Sequence, residues 1–330
     1  MRSRRFAVFA VAVGLVAAAC GSSEPTTTID SEAAGQVEDQ AAPTVTPAPD
    51  PTSAPTPEPT PTAEPTPTPE PVPELTLDLP GLPALGAGAV YEAWLIADGT
   101  PVSAGTFDLV GGSTVQLPVV EESTASAVVI TIETDDDPAP AATHVLAGSL
   151  VEGRATLTIA DTAAIGADFE DASGQYILGT PTDGSGAPEN ERSGVWWTFI
   201  PRAQSLFLPE LPDGWVYEGW QVIDGVPVST GTFTTLFGAP DDAAPYSGPE
   251  AGPPFPGEDF LQNAPDGLTF PRDLRGTEVV ISIEPVPDTD VAPFPLVPLR
   301  GFVADDASDH VHYSVDNVAA DLPEGTATLG

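Results

Sequence analysis

One stretch of this chain is written twice, and no other feature limits its fold as tightly. Residues 90–107 read VYEAWLIADGTPVSAGTF and residues 216–233 read VYEGWQVIDGVPVSTGTF, aligned without a gap. A second block follows in each case, VVITIE at 128–133 and VVISIE at 279–284. A period of this length exceeds any solenoid unit, so it predicts two tandem copies of one whole domain. Within each copy, short β-branched and aromatic runs alternate with Gly, Pro and Asp. Asp98-Gly99 and Asp224-Gly225 sit between such runs and signal hairpins. Further strands are expected at 75–79, 113–119, 127–133, 143–150, 154–159, 175–180 and 194–200. The spacing predicts an all-β fold, two tandem antiparallel Ig-like β-sandwich domains at 75–202 and 203–330. Side chains alternate along a strand, so Tyr91 and Ala93 share one face, and Glu92 and Trp94 the other. Tyr217 and Trp220 hold the equivalent places, and these aromatics read as core anchors.

The N-terminus predicts where such domains are displayed. Arg2, Arg4 and Arg5 precede an apolar run from Phe6 to Ala19, with small residues leading into Cys20. This is the pattern of a secretory signal peptide over 1–19, too short to span a bilayer comfortably. Its end is similar to a bacterial lipobox, which makes Cys20 the lipidation site and the membrane anchor. Cys20 is the one cysteine of the 330 residues, so no disulfide can form within the chain. Residues 20–74 then read as a lipidated cysteine and a disordered Pro/Thr/Glu-rich stalk. Thirteen prolines fall between Pro43 and Pro73. Proline blocks helix and sheet and favours extended polyproline II, at about 3.1 Å per residue.

The charge balance excludes some partners. The net charge is −40, and all nine basic residues are Arg. Such a surface repels nucleic acid and anionic headgroups. The clustered carboxylates Asp135, Asp136 and Asp137, with Asp288 and Asp290 at the matching corner of the second copy, are a candidate calcium site of hard oxygen ligands. His310 and His312 alternate beside Asp309; a metal site is one reading of the three, and a solvent-facing pair is the simpler one. There is no Gly-x-Ser-x-Gly elbow, no phosphate-cradling glycine loop and no cysteine nucleophile beyond Cys20, so an enzyme is not expected. The second copy also carries a long insertion after Phe237. It spaces Tyr246, Phe255, Phe260 and Phe270 among Pro, Gly and Asp. Two readings stand: a flap covering a sheet edge with its rings packed inward, or a partner-binding loop presenting Tyr246, Phe255 and Phe260.

The Tyr-Glu-x-Trp block, the Asp-Gly turn and the Pro-Val-Ser-x-Gly-Thr-Phe run together resemble the C-terminal extracytoplasmic domain of anti-sigma-K factors. Tyr91, Trp94, Pro101, Gly105 and Phe107 carry the resemblance, and Tyr217, Trp220, Pro227, Gly231 and Phe233 carry it again. In that family the anti-sigma activity belongs to a cytoplasmic helical domain joined through a membrane span, and neither pattern is read here. The resemblance therefore implies an outer, sensory-side module of all-β fold. The expected function is a cell-envelope lipoprotein at the extracytoplasmic face of the membrane that binds or senses a protein or glycan. An auxiliary component of envelope stress signalling and a surface adhesin are the alternatives.

Overall fold

The computed structural model describes residues 72–330, apart from 120–123, 135–137, 201–202, 239 and 289. The leader, Cys20, the stalk up to residue 71 and the Asp135–Asp137 cluster lie outside the described residues. The chain divides into the units Met1–Thr66 and Pro67–Gly330, and every described residue belongs to the second.

Its first half contains β1 (Glu74–Asp78), β2 (Val90–Ala97), β3 (Thr100–Phe107), β4 (Thr114–Pro118), β5 (Ala125–Glu133), β6 (His144–Ser149), β7 (Arg154–Thr158), β8 (Ser173–Leu178), β9 (Gly194–Trp196) and β10 (Thr198–Phe199). The second half continues with β11 (Ala203–Gln204), β12 (Leu206–Phe207), β13 (Trp215–Ile223), β14 (Val226–Phe233), β15 (Gly257–Asp259), β16 (Glu278–Pro285), β17 (Leu299–Phe302), β18 (Tyr313–Ser314), β19 (Asp316–Asn317) and β20 (Glu324–Leu329). Every pairing is antiparallel, and the only helices among the described residues are two three-residue 3₁₀ turns. The all-β class is therefore as the spacing predicts.

The repeated stretch forms the same hairpin twice. Asp98 and Gly99 have φ of 50° and 78°, and Asp224 and Gly225 have 52° and 83°, the paired left-handed residues of a type I′ turn. Each hairpin breaks register at one place, at Ala93/Trp94 in the first and across Gly219 in the second. Each then pairs with the later block, β2 with β5 and β13 with β16. Tyr91, Ala93 and Leu95 enter the main core, whereas Trp94 lies on the opposite face with Val129, Ala147 and Ala164. That is the alternation expected of the strand.

The layout of the first half differs from two facing sheets. One eight-stranded sheet runs β3-β2-β5-β6-β7-β20-β1-β4. It curls until its end strands meet, so that a Cβ on Gly105 of β3 would lie 3.7 Å from Leu117 of β4. The physical reason is twist: a long antiparallel sheet with one apolar face covers that face by rolling up on it. Leu75, Leu77, Tyr91, Val128, Ile130 and Leu157 fill the inside, all essentially without solvent exposure.

Sheet membership also crosses residue 202. β20 belongs to the first-half sheet, between β7 and β1. Conversely β8 pairs with β12 and β18 of the second half. The two strands occupy matching slots. Gly325 lies opposite Leu157, and a Cβ there would fall 2.7 Å from Leu79 and 3.6 Å from Leu146. Gly174 lies opposite Leu206, accepts a 3.1 Å hydrogen bond from the Val315 N–H, and a Cβ there would fall 2.8 Å from Leu206 and 3.3 Å from Leu299. Both glycines are needed because the flanking leucines close over the backbone. Each strand follows an Asp-x-x-Ala segment, at 161–164 and 316–319. The halves thus exchange strands reciprocally, and their buried side chains form one connected core.

Candidate functional site

The Tyr-Glu-x-Trp signature builds one polar arrangement twice. On the core side, Tyr91 stacks on Phe107 and Tyr217 on Phe233, each pair with ring centroids 5.6 Å apart. The Tyr91 hydroxyl donates to the Pro83 carbonyl at 3.0 Å, and the Tyr217 hydroxyl to that of Pro209 at 2.7 Å. On the other side, Trp94 Nε1 donates to Thr131 Oγ1 at 2.9 Å, and Trp220 Nε1 to Ser282 Oγ at 2.8 Å. Those hydroxyls pass the bond on to Glu133 and Glu284. Ser103 and Ser229 in turn donate to Glu92 and Glu218. The two terminal carboxylates also accept loop amides, Ala141 N at 3.0 Å on Glu133 and Phe294 N at 2.9 Å on Glu284. The repeat keeps two buried carboxylates per hairpin because each has hydroxyl donors to offset its desolvation.

In the second half this arrangement is strongly perturbed. Burial, with the Glu218 and Asp288 charges nearby, pushes Glu284 up to about 8 against the opposing bonds from Ser282 and Phe294. Burial, with Asp288 and Asp242 nearby, pushes Glu218 up to about 7 against its bond from Ser229. Burial is the largest cause in both, and the like charges nearby add to it.

The insertion docks a second buried acidic group. β15 pairs with β9 and places Asp259 under Thr182 and Trp196, which donate to it from Thr182 N at 2.8 Å and Trp196 Nε1 at 2.6 Å. Burial pushes Asp259 up to about 6 and the adjacent Glu258 up to about 7. Two of the three insertion aromatics are fully buried, and the third packs on one of them. Phe255 and Phe260 have no solvent exposure, and Tyr246 stacks on Phe260 with centroids 6.0 Å apart. The apolar rings of Phe255 and Phe260 gain more from the core than from water and are closed off from a partner, whereas Tyr246 stays half-buried. Asp288 Oδ1 accepts from Asp290 N at 2.9 Å, and Asp290 Oδ1 from Val291 N at 2.7 Å, so these carboxylates cap their own loop. Among the described residues no group of three or more His, Cys, Asp or Glu is gathered closely enough to hold a metal.

A cleft that sequence reasoning missed lies between the halves. Its volume is about 290 Å³, and Ile177, Thr180, Glu191, Trp196, Pro253 and His310 line it. Thr180 Oγ1 is buried with no hydrogen-bond partner, while Glu191 accepts the Thr180 amide at 3.2 Å. His310 has φ of 57° and lies 3.0 Å from Asp309 and 3.8 Å from Glu191. Its left-handed backbone was the only local signal, and nothing in the residue order gives it. His312 faces elsewhere, its Nε2 accepting from Ile200 N at 3.0 Å. His144 bonds the Ala163 carbonyl at 2.7 Å.

Residues 6–146 match the family described as "Anti-sigma-K factor rskA, C-terminal". The matched stretch is similar to that domain and takes in the apolar run, the proline-rich stretch and most of the first-half sheet through Leu146 of β6. The second half lies outside it. No curated protein and no solved structure matches the chain.

Proposed function

We propose that this chain is a cell-envelope lipoprotein, anchored through Cys20, that holds its strand-exchanged β unit outside the membrane for binding or sensing. The observation that carries this reading is the order of parts along the sequence: Arg2, Arg4 and Arg5, an apolar run, Cys20, the proline-rich stretch, then a β unit similar to an anti-sigma factor's outer domain. Cys20→Ser is expected to release the protein into the medium or leave an unprocessed precursor. A variant that stays processed and membrane-bound like wild type would overturn anchoring at Cys20.

A second reading is favoured by the start of the family match at Phe6, which includes the apolar run as well as the β unit. In that reading the chain is an auxiliary component of envelope stress signalling. Pull-down from envelope extracts separates the two. Enrichment of a transmembrane regulator supports signalling, and enrichment of glycans or foreign surface proteins supports adhesion.

A further inference from the structure

The two exchanged strands are held unequally. β8 turns Gly174, Tyr176 and Leu178 inward, and Tyr176 and Leu178 are fully buried. The Tyr176 ring meets Tyr313 at 5.7 Å and Trp197 at 5.9 Å. β20 turns Gly325, Ala327 and Leu329 inward, and of these side chains only that of Ala327 is fully buried. What holds β20 is mainly backbone hydrogen bonding on both edges, with β7 and β1. Those bonds are indifferent to which molecule supplies the strand. Of the segment leading to it, residues 318–322 are half-buried or exposed and Pro323 is buried. The segment is tied back by the Val318 N–H, which donates to the Pro298 carbonyl at 2.9 Å, and through Asn317, whose side-chain amide donates to the Phe169 carbonyl at 2.8 Å, to that of Glu170 at 3.1 Å and to that of Ala172 at 2.8 Å.

We propose that β20 is an exchangeable clasp through which two copies of this chain associate. In the pair, β20 of each molecule enters the slot between β7 and β1 of the other. A second copy is the occupant that fits. The slot demands a glycine where Leu79 and Leu146 close in, followed by a small residue at the Ala327 position, and β20 itself carries both. Exchange between copies rebuilds every strand contact of the single molecule, so hinge conformation and concentration set the balance. The intrachain exchange already shows that a slot in one half is filled from outside that half.

Thr156 and Thr326 stand opposite each other on β7 and β20, both exposed. The Leu329 N–H bonds the Gly153 carbonyl, so in the alternating ladder the Thr156–Thr326 pair is a close, non-hydrogen-bonded one, suited to a disulfide. The experiment uses the full chain with Cys20→Ser, and with Thr156→Cys or Thr326→Cys added singly. The two single variants are mixed under oxidising conditions, and disulfide-linked species are mapped by mass spectrometry. The expected result is a 156–326 disulfide joining two molecules, raised several-fold when Asn317→Ala loosens the hinge. The variant carrying both cysteines should close the same bond within one molecule at low concentration. If that internal bond forms but the mixture gives no more cross-link than a control pair with Thr100→Cys, exchange between copies is wrong. If the internal bond does not form, the placement of β20 is wrong and the proposal falls with it.

Discussion

The two halves lend each other strands of very different weight. The first half gives β8, with a fully buried tyrosine and leucine, and receives β20, with an alanine and a half-covered leucine. At about 25 cal/mol per Å² of apolar surface, the strand it gives contributes far more burial than the strand it receives. The first half compensates through backbone: its eight strands form one continuous hydrogen-bonded sheet. The second half has only short pieces at the matching edge, β12 and β18 of two residues each. It compensates through side chains, using Tyr176 and the insertion rings. The same repeated hairpin can therefore be completed either by ladder or by packing.

The sharpest way to break this comparison is to remove the insertion. Replacing 240–268 by a short Gly-Ser linker takes out Phe255, Phe260 and Asp259, and loss of each buried ring alone costs about 3–5 kcal/mol. The second half is expected to lose cooperative unfolding altogether, read by calorimetry; an unchanged midpoint would mean that packing does not complete it. Next in size is Tyr176→Ala, expected to cost about 3–5 kcal/mol in denaturant titration. Ala327→Gly on the other lent strand should cost only about 1 kcal/mol, and equal costs would remove the asymmetry.

Gly325→Val tests the exchange itself at about 1–3 kcal/mol, since the added side chain meets Leu79 and the Asp78 carbonyl. Hydrogen exchange should show lost protection in β1 and β7, which lie in the other half of the sequence. Loss confined to β17 and β19 would mean that β20 serves its own half.

A smaller effect comes from Glu284. The folded carboxyl keeps its proton up to about 8, whereas its ordinary value is 4.5. Folding therefore takes up a proton between these values. The resulting stabilisation is complete below the lower one and lost as pH rises through the upper one. The unfolding midpoint of wild type should fall by a few degrees from pH 5.5 to pH 8.5. Glu284→Gln should remove part of that fall, the rest belonging to Glu218, Glu258 and Asp259, and an unaltered slope would place the Glu284 proton elsewhere. The smallest change is expected from Arg272→Ala, which breaks a 2.7 Å exposed ion pair between the insertion and Asp224. Its cost should stay below about 1 kcal/mol and shrink with added salt.

Much of this fold is legible in the residue order, for a local reason. Asp-Gly turns and alternating apolar runs are short-range signals, so the hairpins β2–β3 and β13–β14 and the β8–β9 pairing are all foreseeable. The exchange is not. SGQYIL and EGTATL each read as a half-buried strand with a glycine near its start. Alternation along a strand says nothing about which half supplies the slot it enters. The insertion fails for a related reason. Aromatics among prolines and glycines announce a purpose, but not whether the rings face in or out; that depends on β9 offering an edge to β15. The left-handed His310 and the orphan hydroxyl of Thr180 arise only when distant segments meet, so the cleft leaves no local trace.

The neighbours of β1 have a mechanical consequence. The Glu74 N–H bonds the Gly330 carbonyl at 2.9 Å, and the Val119 N–H bonds the Pro73 carbonyl at 2.9 Å, so the strand is gripped along both edges from its first residue. Tension entering the β unit through Glu74 runs along β1, on the axis it shares with β4 and β20. It must slide two rows of hydrogen bonds at once instead of peeling them singly. Resistance to such a pull is a matter of rate, set by the barrier to that shear. A unit pulled at Glu74 would then lose the β1–β4 and β1–β20 ladders in one step, before the hairpins that carry the signature feel the load.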